Sequence, residues 1–213
     1  MEILEVQLLP ADLEDAGSYA HLSRDHTQRK LEHQQSRYSD LERNIRVGRA
    51  ARNGVARALR DAGIACDFES TPATRWKSYS IVTSDGHFIQ PRFIGDYPRH
   101  KLLPEDVGSF ETRPHDFYVA TASSDGLRTL DILGYATRRE MEERRPKSLG
   151  HGKDNRYVPL NRLHPFQELI AWLRSHAASQ AALPGAVTPR HQTRAMGDGH
   201  SGRPPEPRAG DCL

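Results

Sequence analysis

Before Gly63 the apolar positions of this chain recur every third or fourth residue, and from Ile64 onward they recur every second. A spacing of three to four gathers side chains into one stripe of a helix, whereas alternation sends them to opposite faces of a strand. The change predicts helices in the first third and a sheet-forming centre after it. Residues 2–8, EILEVQL, alternate as a short strand, and Pro10 with Asp12 supplies a helix start for a segment expected over Ala11–Gln35. A second helix is expected over Tyr38–Ala62, with Ile45, Gly48, Ala51, Val55 and Leu59 as its apolar stripe and Gly63 as its stop. Small residues at Gly48, Ala51 and Gly54 suit a helix that lies close against a sheet.

Beyond Gly63, IACDFES reads as a strand, and WKSYSIVTSDGHFIQPRFIG reads as a β-hairpin turning at Ser84-Asp85-Gly86. A polar loop containing Pro98, Pro104, Glu105 and Asp106 is expected next. HDFYVATA and LRTLDILGYAT then form two strands joined by Ser123-Ser124-Asp125-Gly126. Thr137 caps a short helix, RREMEERR, with Glu140 as its capping-box partner. In the closing segment 159–176, Phe166, Leu169, Ile170 and Leu173 share one helical face. The expected organisation is an N-terminal strand and helix at 1–37, a core domain at 38–176 and a disordered tail at 177–213. The tail is rich in Pro, Gly, Ala, Arg and His and lacks periodicity, so it buries too little apolar area to offset its chain entropy.

Composition limits the function classes. The 213 residues are 36% hydrophobic and 27% charged, with a mean hydropathy of -0.73, which describes a soluble chain with one main core. The apolar runs are short and interrupted by charge, and MEILEVQLLP has acids where a secretory signal needs a basic start, so a cytoplasmic protein with no membrane partner is expected. Cys66 and Cys212 are too few for a disulfide framework or a Cys-based zinc site. His21 and His26 are five apart, which is not the spacing of a helical zinc pair.

Net charge is +2 and the pI is near 8.6, so the placement of charge matters more than its sum. Most of the basic residues are arginine, which binds phosphate bidentately, although GC-rich coding also favours it. On the second helix Arg46, Arg49, Asn53, Arg57 and Arg60 recur at three and four residues, away from the apolar stripe. They form either a solvated face or a surface that tracks phosphates without reading sequence. Arg138, Arg139, Arg144 and Arg145 alternate with Glu140, Glu142 and Glu143 and read as a self-neutralising cluster.

The order helix, strand, turn, strand, loop, strand, turn, strand, helix over roughly Arg46–Glu143 resembles the PD-(D/E)xK nuclease-like superfamily. The resemblance implies an α/β fold: a restriction-endonuclease-like core of a small mixed β-sheet flanked by helices, here with an N-terminal helical extension. In that family two carboxylates on neighbouring strands hold Mg²⁺ near the scissile phosphate, and a lysine two residues after one of them helps to activate water. Laid on the pattern, Ser80 takes the first acid, Gln90 the second, Arg92 the lysine and Arg52 the helix acid, so all four positions depart from it. Pro91 also removes a ladder donor from the strand.

An active enzyme would use Gln90 and Asp67 or Asp96 as metal ligands for Mg²⁺, Asp116 as a compensating carboxylate and Arg92 to stabilise charge on the phosphate. Glu69 and Asp85 are further acids nearby. The function expected from the resemblance is DNA handling in a bacterial or phage setting by a degenerate nuclease that binds without efficient cutting, with a homodimer as one assembly. The alternative is a noncatalytic protein-interaction module, an immunity or assembly factor, that reuses the fold.

Overall fold

The structure is a computed structural model that describes residues 2–33, 41–68, 81–95, 101–112, 115–149 and 154–181. The chain begins with strand β1 (Leu4–Gln7), then helices α1 (Pro10–His33) and α2 (Leu41–Asp61). Strands β2 (Cys66–Phe68), β3 (Ile81–Thr83), β4 (Phe88–Phe93) and β5 (Leu102–Asp106) follow, with α3 (Val107–Thr112) directly after β5. Strands β6 (Phe117–Ala122) and β7 (Thr129–Thr137) lead into α4 (Arg138–Glu142), β8 (Lys147–Ser148), β9 (Asp154–Pro159), a 3₁₀ turn (Leu160–Arg162) and α5 (Phe166–Ala181). The result is a mixed α/β fold.

Six strands form the main sheet in the order β1-β7-β6-β4-β3-β2, antiparallel throughout except for the parallel pair β4 and β6. Its first strand is β1, which pairs Leu4 with Ile132 and Val6 with Leu130, so the N-terminal segment is part of the same sheet as the central strands. The hairpin expected around Ser84-Asp85-Gly86 is present. Ile81 pairs with Ile89, Val82 pairs with Phe88, and Gly86 takes a φ of +91° in the turn.

One face of this sheet is covered by α2 and α5. Ala51, Val55 and Leu59 of α2 and Phe166, Leu169 and Leu173 of α5 are buried in one core with Ile81, Ile89, Val119, Leu130 and Ile132. Gly54 lets α2 approach this closely, because a Cβ there would lie 2.5 Å from Leu130 Cδ2 and 3.1 Å from Leu8 Cδ2. Gly48 plays no such part, since a Cβ there would meet nothing within 4 Å. Gly63 ends α2 at a φ of +77°, a left-handed conformation that costs glycine little.

The other face carries a second core, in which Ile94, Tyr118, Ala120, Leu133 and Ala136 meet Leu103, Phe110, Met141 and Val158. It is closed by a three-stranded sheet in the order β5-β9-β8, which the sequence pattern did not predict. The expected polar loop around Pro104 is strand β5, pairing Leu103 with Val158 and Glu105 with Arg156. Proline is tolerated because, among the described residues, β5 is an edge strand and has one side without a ladder. Alternation is real but is carried by one apolar and one charged residue, since Leu103 and Glu105 both point inward.

At the start of α4 the capping box is formed as expected: the Thr137 hydroxyl accepts from the Glu140 N–H at 3.3 Å and the Thr137 N–H donates to Glu140 at 2.8 Å. Pro91 lies within β4 next to Val119 of β6. Among the described residues the pairing of β3 to β4 ends at Ile89, so the missing N–H of Pro91 interrupts no described β3 ladder bond.

Candidate functional site

Gln90 and Arg92 are two apart on β4, and alternation therefore sends both to the face covered by the second sheet. Tyr118 of β6 stands beside Gln90 in the parallel register and belongs to the core on that face. Glu105 reaches the same compartment from β5. Its side chain is 1% exposed and it accepts a hydrogen bond and an ion pair from the Arg92 guanidinium, whose side chain is 33% exposed. Glu105, expected in a loop, and Tyr118, within a strand that showed no polar signal, complete the group.

Three buried oxygens of this cluster, Gln90 Oε1, Glu105 Oε1 and the Tyr118 hydroxyl, have no hydrogen-bond partner among the described residues. Burial, and then the nearby Glu105 carboxylate, raise the Tyr118 phenol above its ordinary value, which keeps it protonated. Phe110 stacks against Tyr118 with centroids 5.8 Å apart, and His115 meets it edge-on at 5.7 Å. The guanidinium groups of Arg138 and Arg156 each lie 4.9 Å from the Phe110 ring centre.

These donors do not fit a hard divalent cation. Mg²⁺ is held through carboxylate charge in near-octahedral geometry, whereas the one carboxylate here already neutralises a guanidinium and its neighbours are an amide and a protonated phenol. Among the described residues no group of three or more His, Cys, Asp or Glu side chains could hold a metal ion. Of the other acids singled out from the sequence, the described ones, Asp67, Asp85 and Asp116, do not join Gln90 and Arg92. Asp67 is on the edge strand β2, two strands from β4 and thus about 10 Å across the sheet. Asp116 is exposed just before β6, where its Oδ2 accepts the Phe88 N–H at 2.8 Å and lies 3.7 Å from His87 Nδ1. Asp96, Glu69 and Ser80 lie outside the described residues.

His87 organises a separate polar group at the hairpin. Its Nε2 is 3.7 Å from Asp85, and its ring meets Trp172 of α5 edge-on at 4.9 Å, while Trp172 stacks on His176 at 3.8 Å. The group fastens α5 to the β3–β4 turn. At the opposite end His164 Nε2 lies 2.7 Å from Glu140, which joins the segment just before α5 to α4. Burial would raise the Glu140 carboxyl, but the Thr137 N–H, His164 and the Thr137 hydroxyl outweigh it and hold the pKa below the ordinary value.

The structure divides the arginine row of α2 between packed and exposed positions. Arg49 and Arg57 do not face a free surface, because α1 packs over them. Arg49 donates from Nε to Asp15 Oδ2 at 2.6 Å and from NH2 to Oδ1 at 3.0 Å, and its guanidinium lies 4.7 Å from the Tyr19 ring centre. Asn53 donates to Asp15 at 2.8 Å and to the Asp12 carbonyl at 3.2 Å, and Arg57 pairs with the Asp12 carboxylate. Arg49 above all holds the Asp15 carboxyl below its usual value, against the opposing effect of burial. Arg52 is also buried, whereas Arg46 is exposed and Arg60, exposed as well, donates to the Cys66 carbonyl at 3.4 and 3.3 Å. Acids three apart on α1 facing donors four apart on α2 were the sequence signal for this contact.

No protein-family model matches the chain, and neither the curated proteins nor the solved structures contain a match to it. No helix among the described residues is long and apolar enough to cross a membrane.

Proposed function

We propose that this protein binds nucleic acid without cutting it, on an α/β core that keeps the strand layout of a PD-(D/E)xK-like nuclease and has lost the charge of its metal centre. The observation that carries the reading is the buried cluster on β4 and β5. Gln90 and Arg92 stand at the positions where the family pattern has an acid and a lysine, and the nearby carboxylate, Glu105, is spent on Arg92. A guanidinium stays protonated at any useful pH and cannot shuttle the proton that a lysine could. Binding through phosphate contacts needs no such centre.

The competing reading is a noncatalytic protein-interaction module. It draws support from α1, which occupies the α2 face that would otherwise track phosphates. Titrating labelled DNA and RNA with the full chain at rising salt, with and without Mg²⁺, separates the readings. Affinity that falls steeply with salt and leaves the nucleic acid intact supports the proposal, and absence of binding at low salt overturns it in favour of the protein module.

A further inference from the structure

We infer that the nucleic-acid contact, if the binding reading above holds, is made by the corner where α4 runs into the edge strand β8, with Arg144, Arg145 and Lys147 as its phosphate-binding groups. The sequence pairs these arginines with the glutamates around them, but the structure divides the cluster unevenly. Glu140 is taken by Thr137 and His164. Glu142 pairs with Arg138 and Glu143 with Arg139. The acids are then used up. Arg145 and Lys147 are exposed, Arg144 is partly so, and none of the three has a carboxylate partner among the described residues.

Local geometry favours an extended polyanion at this corner. Among the described residues strand β8 pairs only with β9 and so presents an open edge. Lys147 is opposite Asn155 in the register, and the nearest acid of the hairpin, Asp154, is opposite Ser148 and therefore points to the other face. Two neighbouring arginines are held by aromatic rings: Arg144 lies 5.8 Å from the Tyr157 ring centre, and Arg156 lies over Phe110 while donating to the Glu142 and Arg144 carbonyls. Those two carbonyl bonds fix the backbone that carries Arg144 and Arg145. An anionic membrane is the weaker fit, because surface-binding segments add apolar insertion to charge. Among the described residues the large exposed apolar side chains are Ile3 just before β1, Leu9 between β1 and α1, Leu22 on α1 and Phe88 on β4, and none is on α4, β8 or β9.

A basic edge also discourages pairing with a second chain, so the test must read phosphate binding itself. The full chain, its Arg144→Ala/Arg145→Ala/Lys147→Ala variant and an Arg144→Lys/Arg145→Lys variant are titrated with a labelled mixed-sequence duplex over a range of salt. Losing three phosphate contacts lowers the magnitude of the log K against log salt slope by about 2.7 for duplex DNA. The lysine variant keeps its point charges and should retain most of that slope. An unchanged slope in the alanine variant, with the wild type still binding, overturns this surface and leaves the binding function standing. Absence of wild-type binding at low salt overturns both. Wild-type capture by phosphatidylserine vesicles in place of DNA overturns the choice of partner.

Discussion

Replacing Asp15 by alanine tests whether the arginine face of α2 is a packed contact. The change removes both Asp15 hydrogen bonds from Arg49, whose side chain is 5% exposed, and takes a 2.8 Å bond from Asn53. Breaking one side of a fully buried ion pair costs about 3–5 kcal/mol. Asp15 itself is 43% exposed, so water screens its side of the pair, and fully exposed pairs contribute only about 0–1 kcal/mol. The half-buried geometry places the cost at about 2–3 kcal/mol, which corresponds to a fall of roughly 4–12 °C in melting temperature for a chain of this size.

Arg49→Met should cost less, about 1–2 kcal/mol, because it keeps the apolar stem and leaves Asp15 able to hydrate. The sign of the pH dependence follows from the lowered Asp15 carboxyl. A folded-state value below the ordinary 3.8 contributes stability that is fully present above that value and is lost as pH falls through the folded one. The gap between wild type and Arg49→Met should therefore narrow as the solution is acidified below about pH 4. Urea unfolding at neutral and acid pH measures both effects. An Asp15→Ala protein as stable as wild type would refute the contact and return Arg49 to the surface.

Two further substitutions probe the second core and the strand that carries it. Tyr118→Phe deletes a buried hydroxyl without a described partner, so stability by urea unfolding should be unchanged or rise by up to about 1 kcal/mol. A loss above about 1 kcal/mol would mean that the hydroxyl is bonded. Gly134→Ala puts a Cβ 2.5 Å from the His164 carbonyl oxygen and 3.0 Å from Leu163 Cβ, at a φ of +140°, and should destabilise by about 3 kcal/mol or more in thermal melts. Near-wild-type melting there would show that the segment before α5 does not press on β7.

Much of the fold was legible because its elements obey one local rule each. The apolar stripe of α2, the short apolar runs of β3, β4, β6 and β7, the Asp85-Gly86 turn and the Thr137–Glu140 box are all settled within a few residues of chain. The second sheet was not legible in the same way. β5 carries a proline and a buried glutamate whose burial makes sense only once Arg92 is placed beside it, and β9 follows residues with no apolar run. The candidate site shows the same division. Gln90 and Arg92 could be put on one strand face from their spacing, while Glu105 and Tyr118 come from other strands and needed the register. The spacing of the α2 arginines sets them away from the apolar stripe but does not show that α1 packs over Arg49. Charge on a helix face says nothing by itself about what covers it.

Nucleic-acid binding without metal-dependent cleavage, as proposed, is tested most directly by one titration. Wild-type protein is mixed with labelled DNA at low salt in the presence of Mg²⁺, and binding and strand integrity are followed in the same samples as salt is raised. The expected result is a complex that dissociates steeply with salt while the DNA stays full length. Strand scission that depends on Mg²⁺, or no complex at the lowest salt, would contradict it.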